Sequence, residues 1–407
     1  MTSGRLAVLS VCSLALSTLA CEGAVSGPST DAGRRYRDSG PSELDAGETP
    51  ADAALPTGDA GGADAGSMGG ERVGVFVANG YAGRTLVSCD DGRTWRSDRV
   101  DTFTDESGMA LPPVDRCFDG VDCDHHPGRA KGIAFGHGWF FRTTGWGPPG
   151  RVTRSRDGVA WEPIEEGTTY GGLAWSGAGD AAGTLLLGAR TPRFTRDDGA
   201  SLGTASEPAI EGWNVRRAGY AAGLFIIVGN DGSEVGLSAD GAEWRAPRSI
   251  DVECGAGIQN DGGIAALGDV LVIAGGNGSV CRSSDGGETW ARVSLPDGAT
   301  PSSSDILSTG TELMLWADGA LLRSSDGASW SRTPTEPRVQ IGAVARSADG
   351  TFVGVRGGWN NWYENQRFYR SEDGIRWQEL AEADAPRGHP IGWIAWGEID
   401  AALACRD

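Results

Sequence analysis

Residues 283–290 read Ser283-Ser284-Asp285-Gly286-Gly287-Glu288-Thr289-Trp290, and the same order of residue types returns five more times along the chain. Ser88-Cys89-Asp90-Asp91-Gly92-Arg93-Thr94-Trp95 is the other full-length copy. Residues 155–161, 238–244, 324–330 and 371–377 are one residue shorter, with Asp157, Asp240, Asp326 and Asp373 directly before the glycine. A weaker seventh copy runs from Thr195 through Asp197 and Gly199 to Leu202. The closing tryptophans, with Leu202 in place of one, are 66, 41, 42, 46, 40 and 47 residues apart. A period of this size marks a repeat architecture.

Around residues 283–290 the repeat resolves into strands. Gly263-Ile264-Ala265-Ala266-Leu267 is followed by a turn at Gly268-Asp269, then by Val270-Leu271-Val272-Ile273-Ala274. A glycine-rich turn leads into Ser279-Val280-Cys281-Arg282-Ser283, and Trp290-Ala291-Arg292-Val293 closes the unit. Short β-branched runs between Gly, Asn and Asp turns read as antiparallel hairpins. Each repeat is therefore a four-stranded meander, A to D, and four strands per 40–50 residues make a propeller blade. The expected fold is all-β, a seven-bladed β-propeller of four-stranded antiparallel blades. The N-terminal segment, residues 73–78 followed by 85–88, supplies strands B, C and D of a blade but no A, while Ile391-Gly392-Trp393-Ile394-Ala395-Trp396 reads as a lone strand A. Pairing the two termini in one blade closes the ring and removes its open edges.

The repeated turn resembles the Asp-box, or BNR, repeat of sialidases and related propellers. That resemblance implies that Asp90, Asp157, Asp197, Asp240, Asp285, Asp326 and Asp373 are structural, on the face away from any active site. Sialidases also carry an arginine triad, a Tyr–Glu nucleophile pair and an acidic Asp on a six-bladed ring. Their early Arg-Ile-Pro motif has no counterpart here, where Glu71-Arg72-Val73-Gly74 stands. Tyr363 and Glu364 are neighbours in sequence and would point apart on a strand. Sialidase chemistry is therefore not expected.

The ends and the composition fit export. Arg5 precedes an apolar run over residues 6–19, too short to span a membrane and shaped like a secretory signal over residues 1–20. Leu16-Ser17-Thr18-Leu19-Ala20-Cys21 resembles a bacterial lipobox, with Thr18 where leucine is usual, so Cys21 is the expected lipidation site. Ordinary secretion with Cys21 a stray thiol is the alternative. Residues 22–70 are Ala, Gly, Asp, Ser, Thr and Pro with little to bury, and 21–70 read as a lipidated cysteine and disordered tether. Such a coil reaches about 40 Å. Residues 71–407 form the propeller. A net charge of −20 argues against nucleic acid and against an anionic membrane, leaving the lipid anchor as the membrane contact. The expected location is the bacterial cell envelope. Six further cysteines suggest three disulfides. Fifteen pairings are open; the most economical are Cys89 with Cys405 in the shared blade, Cys254 with Cys281 in one repeat, and Cys117 with Cys123 in one loop.

Function belongs to the loops that a rigid scaffold displays. The D–A links and B–C hairpins of a propeller open on one face. The longest link, residues 99–130, carries Asp124, His125 and His126. Trp146 sits on one B–C hairpin, Trp359, Trp362, Tyr363 and Glu364 on another, and His389 on the link from blade six to blade seven. Counting from the blade of Trp161, these elements fall in blades six, seven and one. Trp and Tyr among Asn, Gln and Glu suit stacking on sugar rings. Carboxylate and imidazole could ligate a metal, but the spacing matches no template, so no cofactor is expected. The favoured reading is binding of a glycan or an envelope protein. The runner-up is a carbohydrate-active enzyme, which needs two carboxylates about 5–10 Å apart on the loop-rich face.

Overall fold

In the computed structural model, strand Val270–Ala274 buries both of its faces. Leu271 and Ile273 pack toward blade three, against Ile226 and Leu237. Val272 and Ala274 pack toward blade five, against Leu313 and Leu315. Successive side chains of a strand point to opposite faces, so a strand sandwiched between two neighbours must be apolar throughout. That is why the repeats read as continuous β-branched runs rather than as alternating ones.

The described residues are 70–101, 130–145, 150–167, 170–177, 182–206, 210–213, 215, 217–229, 232–254, 263–275, 279–356 and 367–406. All of them fall in the unit Ala65–Asp407. The signal segment, Cys21, the tether and the Cys117–Cys123 pairing lie outside them.

Seven antiparallel four-stranded sheets make seven blades. They span residues 130–166, 170–204, 217–249, 263–293, 301–334 and 341–379, and a seventh joins both ends of the chain. In that last blade the strand Ile391–Asp400 is innermost and pairs with Arg72–Gly80, in register from Arg72 opposite Asp400 to Asn79 opposite Trp393, with a shift that sets Gly80 opposite Ile391. Thr85–Ser88 and Arg96–Arg99 complete it. Each inner strand packs beside the inner strand of the next blade, around to Ile341–Arg346 and back to Ile391–Asp400. Cys89 is bonded to Cys405, fastening the C-terminal turn to the N-terminal sheet, and Cys254 is bonded to Cys281. Short helical turns interrupt the strands at Tyr81–Gly83 and Pro296–Gly298. Asp251–Cys254 forms a single helical turn before blade four, and it delivers Cys254 into the core.

The repeated turn joins strands C and D. In the short form, the Ser371 hydroxyl donates to Asp373 Oδ1 at 3.1 Å and accepts the Gly374 N–H at 2.9 Å. Asp373 Oδ1 then takes the N–H groups of Ile375 and Arg376. In the long form the glycine lies one residue further on, and the extra residue adopts a left-handed conformation: Asp91 at φ 59°, Asp198 at 57° and Gly286 at 70°. Asp and Gly enter this region at little cost. Both lengths keep the hydroxyl-to-aspartate and glycine N–H-to-hydroxyl bonds, and in the long form the aspartate takes one N–H and a hydroxyl, as from Thr289, in place of two N–H groups. The indole N–H of Trp161, Trp244, Trp290, Trp330 and Trp377 donates to the carbonyl of the box glycine.

Candidate functional site

Of the residues expected to form the site, Asp124, His125, His126, Trp146, Trp359, Trp362, Tyr363 and Glu364 lie outside the described residues. His389 is inside them. It is 8 % exposed, and its carbonyl accepts a hydrogen bond from Arg84 at 2.7 Å. Arg84 also binds the Pro386 carbonyl and is paired with Asp98 at 2.7 Å. The link from blade six to blade seven is thus tied down by a buried guanidinium. Beside it, Arg142 reaches from blade one to the Gly83 carbonyl at 2.8 Å and to Asp101 at 2.5 Å. Burial pulls the Arg142 guanidinium below its ordinary value against the opposing effect of Asp101. These two arginines brace the loop-rich face where blades seven and one meet.

The sequence reading missed a cleft on the same face, between blades five and six. Its volume is about 450 Å3, and Asp318, Arg338, Arg356, Arg367, Tyr369 and Glu379 supply its polar walls. The local reason is strand alternation. On Phe368–Ser371 and the residue before it, Arg367 and Tyr369 face blade five, while Phe368 and Arg370 face blade seven. Glu379 lies opposite Tyr369 in the ladder, and Arg356 lies opposite Arg367, to whose carbonyl its N–H donates at 3.1 Å. All four side chains therefore share one face of blade six.

Tyr369 donates its hydroxyl to Glu379 Oε2 at 2.9 Å, and Arg367 meets Oε1 at 3.4 Å. Burial, with the hydrogen bond and charge of Glu379, pushes the Tyr369 hydroxyl up to about 12. It is a fixed donor, protonated at neutral pH. Arg338 spans to the Asp318 carbonyl on the blade-five turn at 3.2 Å. The hairpin that carries Trp359 to Glu364 leaves the sheet after Arg356 and returns at Arg367, so its two roots are cleft residues. That bracketing of an aromatic hairpin by arginines was the available signal in the sequence. Among the described residues no group of three His, Cys, Asp or Glu side chains is arranged to hold a metal ion.

The sequence matches no protein-family model and none of the curated proteins. Solved structures do resemble it. A protein from Lactobacillus plantarum is 9 % identical and covers 80 % of this chain and 100 % of its own, with a TM-score of 0.50. YCF48 from Cyanidioschyzon merolae is 14 % identical over 64 % of this chain and 86 % of its own, with a TM-score of 0.47. Virginiamycin B lyase from Staphylococcus aureus is 12 % identical over 65 % and 88 %, with a TM-score of 0.48. At such identities the likeness is one of fold alone.

Proposed function

We propose that this chain is an exported, lipid-anchored propeller of the Asp-box type that binds a glycan or protein ligand at the bacterial cell envelope. The observation that carries this reading is the placement of the cleft. It opens on the loop-rich face, and the hairpin bearing Trp359, Trp362, Tyr363 and Glu364 is rooted on two of its walls. A ligand in the cleft meets guanidinium donors on its walls. Polar groups converging in a concavity of this size are the usual form of a binding site. The paired Ser and Asp of each turn and the apolar run before Cys21 support the Asp-box and anchoring parts of the proposal.

The test compares wild type with a Trp362→Ala/Tyr363→Ala double variant on glycan and peptide arrays, beside a panel of chromogenic glycosides. Binding by wild type, its loss in the folded double variant, and no turnover are expected. Normal binding by the double variant, or hydrolysis of any glycoside, overturns the reading. Cys21→Ser should move the folded protein from the membrane to the soluble fraction, and mass spectrometry of wild type should find an acylated N-terminus.

A further inference from the structure

We infer that the Cys89–Cys405 disulfide is a redox latch on the ring, opened in the folded protein by an external dithiol while Cys254–Cys281 stays closed. Its opening releases the C-terminal turn and frays blade seven from the face that carries the repeated turns.

Access separates the two bonds. Cys254 and Cys281 are fully buried, packed among Ile226, Ile250, Leu271 and Ile273 where blades three and four meet. Cys89 and Cys405 are both partly exposed. Thiol–disulfide exchange needs a thiolate to reach a sulfur, so its rate follows access. At the buried bond that approach requires the core between two blades to open first. At the exposed bond one thiolate of the dithiol attacks a protein sulfur and the S–S bond breaks. Its electron pair leaves on the other cysteine, which takes a proton from water. The second thiol then displaces the first cysteine. The dithiol ends as its own disulfide, and Cys89 and Cys405 end as two thiols.

The segment that the bond holds is local and conformationally strained. The turn is built on Asp400, whose carboxylate accepts the Ala402 N–H and whose carbonyl accepts those of Leu403 and Ala404 at 2.8 and 3.2 Å. Cys405 has a left-handed backbone, φ 46°, which a residue with a Cβ adopts at a cost. Release of the bond lets it relax. Ala404 packs against Val75, Val77, Val87 and Phe140 where blade seven meets blade one, so departure of the turn uncovers apolar surface.

The two ends of blade seven differ in what reduction leaves behind. Strand Thr85–Ser88 leads into Cys89 at one end and follows Arg84 at the other. Arg84 is paired with Asp98 and donates to the Pro386 and His389 carbonyls, and Arg142 ties Gly83 to blade one. Those bonds hold the loop-rich end in either redox state. At the other end Arg72 faces Asp400, and the Ala401 N–H donates to the Glu71 carbonyl at 2.8 Å. Fraying therefore starts at Arg72 opposite Asp400 and stops short of Asn79 opposite Trp393.

The test incubates the full, folded chain with dithiothreitol, quenches it at intervals with iodoacetamide and maps the alkylated cysteines by mass spectrometry. Cys89 and Cys405 should be alkylated at least about tenfold faster than Cys254 and Cys281, as access and local opening require. Hydrogen exchange on the reduced product should quicken over residues 72–76 and 396–400 and stay slow over 77–80 and 391–395. Reoxidation should restore the first pattern. A Cys89→Ser/Cys405→Ser variant should show the frayed pattern with no dithiol present. The wild-type chain before and after reduction gives the same reading if that variant fails to fold. Equal rates at the two disulfides, or earlier opening of Cys254–Cys281, overturns the inference. Reduction that leaves exchange in blade seven unchanged also overturns it, as does loss of protection along the whole pairing.

Discussion

Asp285, Asp197, Asp326 and Asp373 of the repeated turn each take several donors onto one carboxylate, and this fixes their acid behaviour. Hydrogen bonds from the Thr289 hydroxyl, the Thr289 N–H and Ser283 hold Asp285 at about 2, against an ordinary 3.8. The Ser201 hydroxyl, Thr195 and the Ser201 N–H do the same for Asp197, and the N–H groups of Ser329 and Ala328 for Asp326. At Asp373 burial works to raise the value, and the N–H groups of Arg376 and Ile375 outweigh it, again giving about 2. A carboxylate held low in the folded state contributes stability that is complete above its unfolded value. That stability is lost as pH falls through the folded value. Urea midpoints should therefore hold down to about pH 4 and fall steeply between about pH 4 and pH 2, and Asp285→Asn should reduce the slope in that window. The serine has a separate role, since it alone satisfies the buried glycine N–H. Ser371→Ala leaves the Gly374 N–H without its 2.9 Å partner and should cost about 1–3 kcal/mol in urea unfolding. Asp285→Ala should lower the melting temperature and leave ligand binding unchanged.

Between elements, the boxes act as handles by which one blade holds the next. Arg154 donates to the Asp198 carbonyl at 2.5 Å, Arg196 to Asp240 at 3.1 Å and Arg245 to Gly286 at 3.3 Å. Arg282 reaches Asp326 at 3.0 Å, Arg323 reaches Asp373 at 3.0 Å and Arg370 reaches Asp91 at 2.9 Å. In every case the acceptor is the residue directly before the box glycine of the following blade. This explains why arginine precedes the box serine at positions 154, 282, 323 and 370. The spacing of the repeated turns is legible in the sequence, whereas these contacts join residues more than 40 positions apart, and the recurring Arg-Ser pair does not by itself name the acceptor. Arg370 also binds the Asp91 carboxylate at 2.7 Å and is 13 % exposed, whereas Arg196 is 52 % exposed. Arg370→Leu should therefore cost about 2 kcal/mol, because hydrogen bonds to charged groups are worth that when shielded. Arg196→Leu should cost about 0–1 kcal/mol. Chemical denaturation of the two single variants checks the ranking.

At the scale of the ring, the junction from blade seven to blade one has Val87 before the turn serine, where blades one, four, five and six have arginine. It is apolar: Val77, Val87 and Phe140 pack there with Cys89, Val159, Trp161 and Ala404. The turn that follows Asp400, pinned by Cys89–Cys405, packs against this junction through Ala404. Blade number, shared terminal blade and both described disulfide pairings were legible in the sequence, because periodicity and the missing strand A are properties of the chain alone. The cleft was not, since it needs Arg338 from a link and Arg356 and Arg367 from two strands to be brought to one face. The two disulfides should differ in consequence. Cys89 and Cys405 are 316 residues apart, whereas Cys254 and Cys281 are 27 apart. Loop-closure entropy rises with the logarithm of that separation, so breaking the long loop should cost about 2 kcal/mol more than breaking the short one, within a usual range of about 2–5 kcal/mol. The comparison is between Cys89→Ala/Cys405→Ala and Cys254→Ala/Cys281→Ala in urea, with mass mapping to verify the surviving bond. Equal losses would mean that the register of Arg72–Gly80 against Ile391–Asp400 closes the ring unaided. A loss larger by about 2 kcal/mol for the long loop would match its loop-closure entropy alone.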